Sequence, residues 1–180
     1  MDRPIVAREI KTIYTGRVFT LRVETIDLPK GGTLKADVIR HPGSVVLIPI
    51  TESGEVILVR QYRPALGQWA WELPAGTVKP GEDLEKAAMR ECQEEIQMIP
   101  ARLERLGSFF PTPGYCDEEM NFYLATGLRV PGEDDEAAHA DADEDLEVRA
   151  FAREALQSMI ASGEIIDLKT VAGLALLTRT

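Results

Sequence analysis

Glu91, Glu94 and Glu95 stand within five residues on a segment whose apolar positions repeat with a helical period. At about 100° per residue, Leu84, Ala87, Ala88, Cys92 and Ile96 gather on one side of a helix running from Leu84 to about Gln97. Glu91 and Glu95 fall inside that same arc. Lys86, Arg90, Gln93 and Glu94 take the polar side, with Glu94 at the edge of the acidic cluster. Two carboxylates therefore share the face that must pack, and a buried carboxylate without compensation is costly. Carboxylates four residues apart lie on neighbouring turns. A hard divalent cation, which takes oxygen ligands and often shares them with phosphate, would compensate both. Taken alone, a glutamate-rich helix is more often a solvated, salt-bridged one.

The flanks of the helix separate these readings. Leu73-Pro74-Ala75-Gly76 and Pro80-Gly81-Glu82 lead into it. Two prolines and two glycines specify a tight loop, which can turn backbone amides and carbonyls toward a metal or a phosphate. Glu82 lies eight residues before Arg90, where a carboxylate can pair with the arginine and clamp loop to helix. A merely solvated helix needs none of this.

Gly76, Glu82, Arg90, Glu91, Cys92, Glu94, Glu95 and Met98 resemble the Nudix box in type and spacing. One position departs: Gln97 stands where the box has its last glycine, the residue that closes the helix in a left-handed conformation. The resemblance extends from about Val45 to Phe151. It implies a Nudix α/β/α sandwich and metal-assisted hydrolysis of a nucleoside diphosphate derivative. It assigns Glu91, Glu94, Glu95 and the carbonyl of Ala75 to the metal, with Mg²⁺ as the cofactor and Mn²⁺ able to substitute. Glu82 and Arg90 take supporting roles in the catalytic element.

The segments Val59-Arg60-Gln61-Tyr62-Arg63-Pro64 and Trp71-Glu72-Leu73-Pro74-Ala75-Gly76 resemble the ADP-ribose and nucleoside-diphosphate-sugar pyrophosphatase branch. So does Pro111-Thr112-Pro113-Gly114-Tyr115-Cys116-Asp117-Glu118, with Pro113 fifteen residues beyond Met98. Arg60 and Arg63 are candidate phosphate ligands, since guanidinium forks suit phosphate oxygens. Residues three apart on a strand point to opposite faces, so only one of them faces a given site. The competing role for either is an ion pair with Glu72, itself a candidate substrate contact. Tyr115 and Glu118 are candidates on a loop that selects substrate in the related enzymes, or simply part of a turn into the next strand. Trp69 and Trp71 can stack on a base, but core packing is the commoner use of tryptophan. The related enzymes place a catalytic glutamate on a loop ahead of a late strand. Glu144, before Leu146-Glu147-Val148, is the best match for that base, with Asp143, Asp145 and Glu147 as alternatives.

The elements that must position these residues are legible as a strand-rich pattern. Strands are expected near 18–28, 34–40, 45–48, 56–59, 69–73, 103–110, 119–126 and 145–151. Helices are expected at 84–97, 153–161 and 167–178. Glu52-Ser53-Gly54-Glu55 reads as a hairpin turn, and 131–145 as an acidic loop. The fold class is α+β with a mixed sheet. An N-terminal β segment, 1–42, precedes a catalytic domain, 43–180. In this branch such a segment exchanges between subunits, which implies a homodimer.

The net charge of −10 argues against a nucleic-acid partner. No apolar run approaches a membrane span, and Met1-Asp2-Arg3-Pro4 lacks a signal-peptide pattern, so a cytoplasmic location is expected. Cys92 and Cys116, the only cysteines, fit neither a zinc site nor a disulfide. The expected activity is hydrolysis of ADP-ribose, or a related nucleoside diphosphate sugar, to a nucleoside monophosphate and a sugar phosphate. Two alternatives remain: a Nudix pyrophosphatase for a dinucleotide or nucleoside triphosphate, and a non-catalytic ligand-sensing Nudix domain. The complete set of box glutamates argues against the sensor.

Overall fold

The computed structural model describes residues 6–132, 135 and 146–179. Ten strands and three α-helices follow in the order β1 (Ala7–Thr15), β2 (Thr20–Asp27), β3 (Thr33–Arg40), β4 (Ser44–Pro49), β5 (Val56–Arg63), β6 (Gln68–Glu72), β7 (Ala75–Thr77), α1 (Leu84–Ile96), β8 (Ile99–Phe109), β9 (Met120–Arg129), β10 (Glu147–Phe151), α2 (Arg153–Ser162) and α3 (Leu168–Leu176), with a closing 3₁₀ turn at Leu177–Arg179. The strands form three sheets, ordered β1-β2-β3, β10-β5-β6 and β7-β4-β9-β8. β4 runs parallel to β9 and antiparallel to β7, so the four-stranded sheet is mixed, as expected.

Alternation along the central strands sorts two apolar layers. Val45, Leu47, Ile57 and Val59 pack with Ala87, Ala88, Cys92 and Ile96 of α1. Val46, Ile48, Val56 and Leu58 pack with Leu156 and Met159 of α2 and with Leu177 beyond α3. Helices thus cover both faces of the sheets, which is the α/β/α layering. No helix among the described residues is long and apolar enough to cross a membrane.

Several boundaries differ from the sequence expectation. β1 had no expected counterpart because nearly all its residues are exposed, leaving no buried face to set an alternation. β7 is three residues long and carries Gly76. β8 starts at Ile99, before Pro100; it lies at the edge of its sheet, where a missing N–H is tolerated. The Glu52–Glu55 turn does form, closed by Thr51 N–H to the Glu55 carbonyl at 2.9 Å. It does not open into a hairpin. After one bridge, Ile50 to Val56, the chain enters different sheets, because β4 and β5 find their partners elsewhere.

The N-terminal sheet is joined to the rest through the 112–119 loop. Ile39 bridges Cys116 in parallel, and Arg40 holds both buried Glu24, with Nη2–Oε1 at 2.7 Å, and Asp117, with Nη1–Oδ2 at 3.0 Å. Both cysteines are free thiols.

Candidate active site

α1 begins at Asp83, whose carboxylate accepts from the amides of Glu85 and Lys86, and ends at Gln97 with φ 55° and ψ 37°. Gln97 therefore adopts the left-handed conformation that glycine would take more readily, and the helix exit survives the substitution. Between these caps, Glu91 and Glu95 are 7% and 5% exposed, as the wheel places them. The two carboxylates meet the β7 segment directly. Glu95 Oε2 accepts from the Ala75 amide at 3.0 Å. The Glu91 carboxylate occupies the space beside Gly76 where a side chain would start: a Cβ there would lie 1.9 Å from Glu91 Cδ. The loop glycine is thus a steric requirement of the helix glutamate.

Arg90 organises the rest of the cluster. Its Nε and Nη2 donate to both oxygens of Glu82, at 2.8 and 2.9 Å, which is the clamp expected from the spacing. Nη1 donates to Glu91 Oε1 at 2.5 Å and Glu94 Oε2 at 2.7 Å, and Nη2 reaches the Thr77 carbonyl at 3.3 Å. These carboxylates, Glu82 first, raise the Arg90 pKa above its ordinary value despite burial. In return, the Arg90 guanidinium, helped by the Lys79 amide, holds the Glu82 carboxyl down at about 2. The Cys92 thiol, behind this layer, is pushed up to about 12 by burial and by Glu95, so it is an inert packing group.

Arg90, Glu91, Glu94 and Glu95 line a cleft of about 1000 Å³ that also holds Arg63, Glu72, Ala75, Gly76 and Glu118; Glu82 is not among its lining residues. The two arginines of β5 separate as alternation requires. Arg63 faces the cleft and pairs with Glu72, its Nε to Oε1 at 2.8 Å. Arg60 is on the opposite face, paired with Glu147 at 3.3 Å and lying over the Trp69 ring at 5.5 Å. It is not among the described residues that line the cleft. Tyr115 is 55% exposed and also outside that lining; its carbonyl accepts from the Ile39 amide. Glu118 lines the cleft and accepts from Ser44 Oγ at 2.9 Å. Trp71 is buried, edge-on to Phe151 at 4.9 Å, and serves the core; Trp69 is half exposed beside Tyr62. Glu144, Asp143 and Asp145 lie outside the described residues. Glu147 is bound to Arg60 and to Arg149.

Sequence reasoning missed His41 and Lys169, which line the same cleft. For Lys169 a signal existed: it is the only charged residue of α3.

The donors present suit a hard divalent cation. Every candidate ligand is oxygen: three carboxylates, of Glu82, Glu91 and Glu94, meet one guanidinium at the helix–loop junction, and a fourth, of Glu95, accepts from the Ala75 amide. That leaves an excess of negative charge in a partly buried site, which a cation neutralises. Among the described residues no three acidic or histidine side chains stand together as a finished cage. Arg90 and the Ala75 amide occupy carboxylate oxygens that a cation would share.

A family model described as the NUDIX domain matches residues 40–172. The ADP-ribose pyrophosphatase of Bacillus subtilis (strain 168) is 34% identical over 170 residues, covering 94% of this chain and 89% of that protein. The methanol dehydrogenase activator of Bacillus methanolicus is 37% identical over 166 residues, covering 91% of this chain and 88% of its own. The ADP-ribose pyrophosphatase of Mycobacterium tuberculosis is 35% identical, covering 91% and 78%. A crystal structure of an ADP compounds hydrolase superposes with a TM-score of 0.82 over 98% of this chain and 94% of the other, at 20% identity, and so shares the fold. A box matched in every glutamate, its carboxylates gathered on Gly76 and Ala75, and a family model covering most of the chain agree: this chain belongs to the Nudix family.

Proposed function

We propose that the protein hydrolyses the diphosphate of ADP-ribose, or of a closely related nucleoside diphosphate sugar, to a nucleoside monophosphate and a sugar phosphate. The observation that carries this reading is that the α1 carboxylates and the Arg63 guanidinium line one cleft. Glu91, Glu94 and Glu95, with the Ala75 carbonyl, would hold a divalent cation, Mg²⁺ or Mn²⁺. When bound, the cation neutralises charge on the diphosphate. Arg63 supplies further N–H donors to a phosphate oxygen. Arg90 holds Glu91 and Glu94 in register with the loop. Water attacks one phosphorus in line, a P–O bond of the bridge breaks, and a carboxylate takes the water's proton.

We assign that base to Glu144, on its position ahead of Leu146-Glu147-Val148. Glu144→Gln should lower turnover about a hundredfold while leaving the Mg²⁺ concentration for half-maximal rate unchanged. Wild-type turnover of this variant, with a large loss in Glu147→Gln, would move the role along the segment.

The relatives named ADP-ribose pyrophosphatase support the choice of substrate. The test is a panel of ADP-ribose, GDP-mannose, ADP-glucose, diadenosine polyphosphates and dGTP under identical Mg²⁺, scored by product chromatography. The highest kcat/KM is expected for ADP-ribose, because a site built to hold both ends of a diphosphate bridge penalises a ligand that leaves polar groups unpaired. A preference for dGTP would overturn the branch; a preference for GDP-mannose would overturn only the sugar nucleotide.

The N-terminal segment, 1–42, is proposed to form a homodimer. β1 is the open edge of its sheet, and Ile10, Ile13 and Tyr14 are 53%, 50% and 56% exposed. An open edge with exposed apolar side chains is a template for pairing with another chain. Light scattering should return twice the chain mass at micromolar concentration, and deletion of residues 1–42 should impair substrate binding. A stable monomer would refute the dimer.

A further inference from the structure

α3 carries one charged side chain and buries it. Lys169 is 8% exposed, and its Nζ donates to Glu72 and, at 2.9 Å, to Asp167 Oδ2. Glu72 is 2% exposed and also takes Arg63, with Nε to Oε1 at 2.8 Å and Nη2 to Oε2, the oxygen that Lys169 holds. Burial works to raise the Glu72 pKa, but Arg63 and Lys169 outweigh it and hold the carboxyl below the usual range. One ionised carboxylate is thus gripped by a lysine from α3 and an arginine from β5, both at the cleft. The grip uses two of the five N–H donors of the Arg63 guanidinium. The other three have no hydrogen-bond partner among the described residues, and the Arg63 side chain is 38% exposed at the cleft.

The backing is itself rigid. Asp167 caps α3, accepting from Thr170 N at 3.0 Å and Thr170 Oγ1 at 2.6 Å. The same hydroxyl accepts from the Leu73 amide at 2.7 Å. A Cβ on Gly173 would stand 2.3 Å from Leu73 Cδ1, so α3 is in close contact with the segment that follows β6. A buried ion network of this kind yields little net stability compared with apolar packing. What it yields here is direction: Glu72 cannot turn, and Arg63 must present its remaining edge to the cleft.

We propose that Lys169 is a positioning residue for recognition of the substrate diphosphate, acting through Glu72 to aim the unpaired edge of Arg63. This rests on the activity proposed above. The test is a double-mutant cycle on the full chain, read by steady-state kinetics with ADP-ribose and by calorimetric titration of its methylene-bridged analogue in Mg²⁺. Lys169→Met should raise KM and the analogue's Kd about tenfold and change kcat by less than about threefold. The Mg²⁺ dependence should stay the same. Lys169→Arg should recover most of the loss. Combined with Arg63→Met, Lys169→Met should add no further loss, since there is then no guanidinium to aim. If Lys169→Met does not fold, Asp167→Asn with and without Arg63→Met makes the same comparison. Wild-type KM in Lys169→Met, or losses that simply add in the double variant, would overturn the inference while leaving the activity standing. A wild-type protein inert toward ADP-ribose would overturn the activity, and the inference with it.

Discussion

Replacing Glu95 or Glu91 by glutamine is expected to lower kcat roughly a thousandfold, about 4 kcal/mol in activation free energy, with the fold unchanged. Glutamine keeps the size of the side chain and an oxygen that can still accept from the Ala75 amide, the contact Glu95 makes at 3.0 Å. What it removes is one negative charge from a cluster in which Glu82, Glu91 and Glu94 already share a single guanidinium. The apo protein has like charges to relieve and should melt no lower than wild type. Cation binding loses a charged ligand and weakens. Circular dichroism and thermal melting would confirm the fold; Mg²⁺ titrations of the rate would separate lost affinity from lost chemistry. Near-normal turnover of both variants at saturating Mg²⁺ would remove these residues from the metal site.

Gly76→Ala should lower turnover about a hundredfold, the scale of loss that follows from misplacing a catalytic group by about 1 Å. A single methyl carries this effect because the position it would take is filled. The new Cβ would lie 1.9 Å from Glu91 Cδ and 2.0 Å from its Oε1. Either the glutamate swings away or the β7 segment shifts, and Ala75 shifts with it. Gly132→Ala, whose Cβ would meet only Asp135 Oδ2 at an ordinary 3.6 Å, is the control and should retain activity. Wild-type turnover in Gly76→Ala would mean that the position of the Glu91 carboxylate does not matter to the chemistry.

Much of this was legible in the sequence where the physics is local. The burial of Glu91 and Glu95 follows from helical periodicity, and the Glu82–Arg90 clamp from a short loop. Alternation along β5 required that Arg60 and Arg63 part company. It could not say which faces the cleft, because that depends on pairing with β6 and β10, strands distant in sequence. Lys169 escaped for a related reason: a lone charge on a short apolar helix marks the residue, but its partner Glu72 is 97 residues away and no local pattern identifies it. β1 left no trace because a strand exposed on both faces has no hydrophobic alternation to read. Gln97 shows the reverse. The sequence broke the helix-exit pattern, yet exposed Gln97 still takes the left-handed conformation, its amide donating to the Gln93 carbonyl at 3.1 Å, although a non-glycine residue does not favour it.

Arg40 holds two parts of the molecule at once: Glu24 in the N-terminal sheet and Asp117 in the loop that carries Glu118 to the cleft. Any ligand that displaces this loop pulls on the guanidinium that anchors the sheet, and any partner that displaces the sheet pulls on the loop. Thermodynamic linkage makes such an exchange reciprocal: whatever factor the partner imposes on the ligand's affinity, the ligand imposes on the partner's. Occupancy of the cleft and the association proposed for the sheet would then be two readings of one equilibrium, joined through Arg40 and the Ile39–Cys116 bridge beside it.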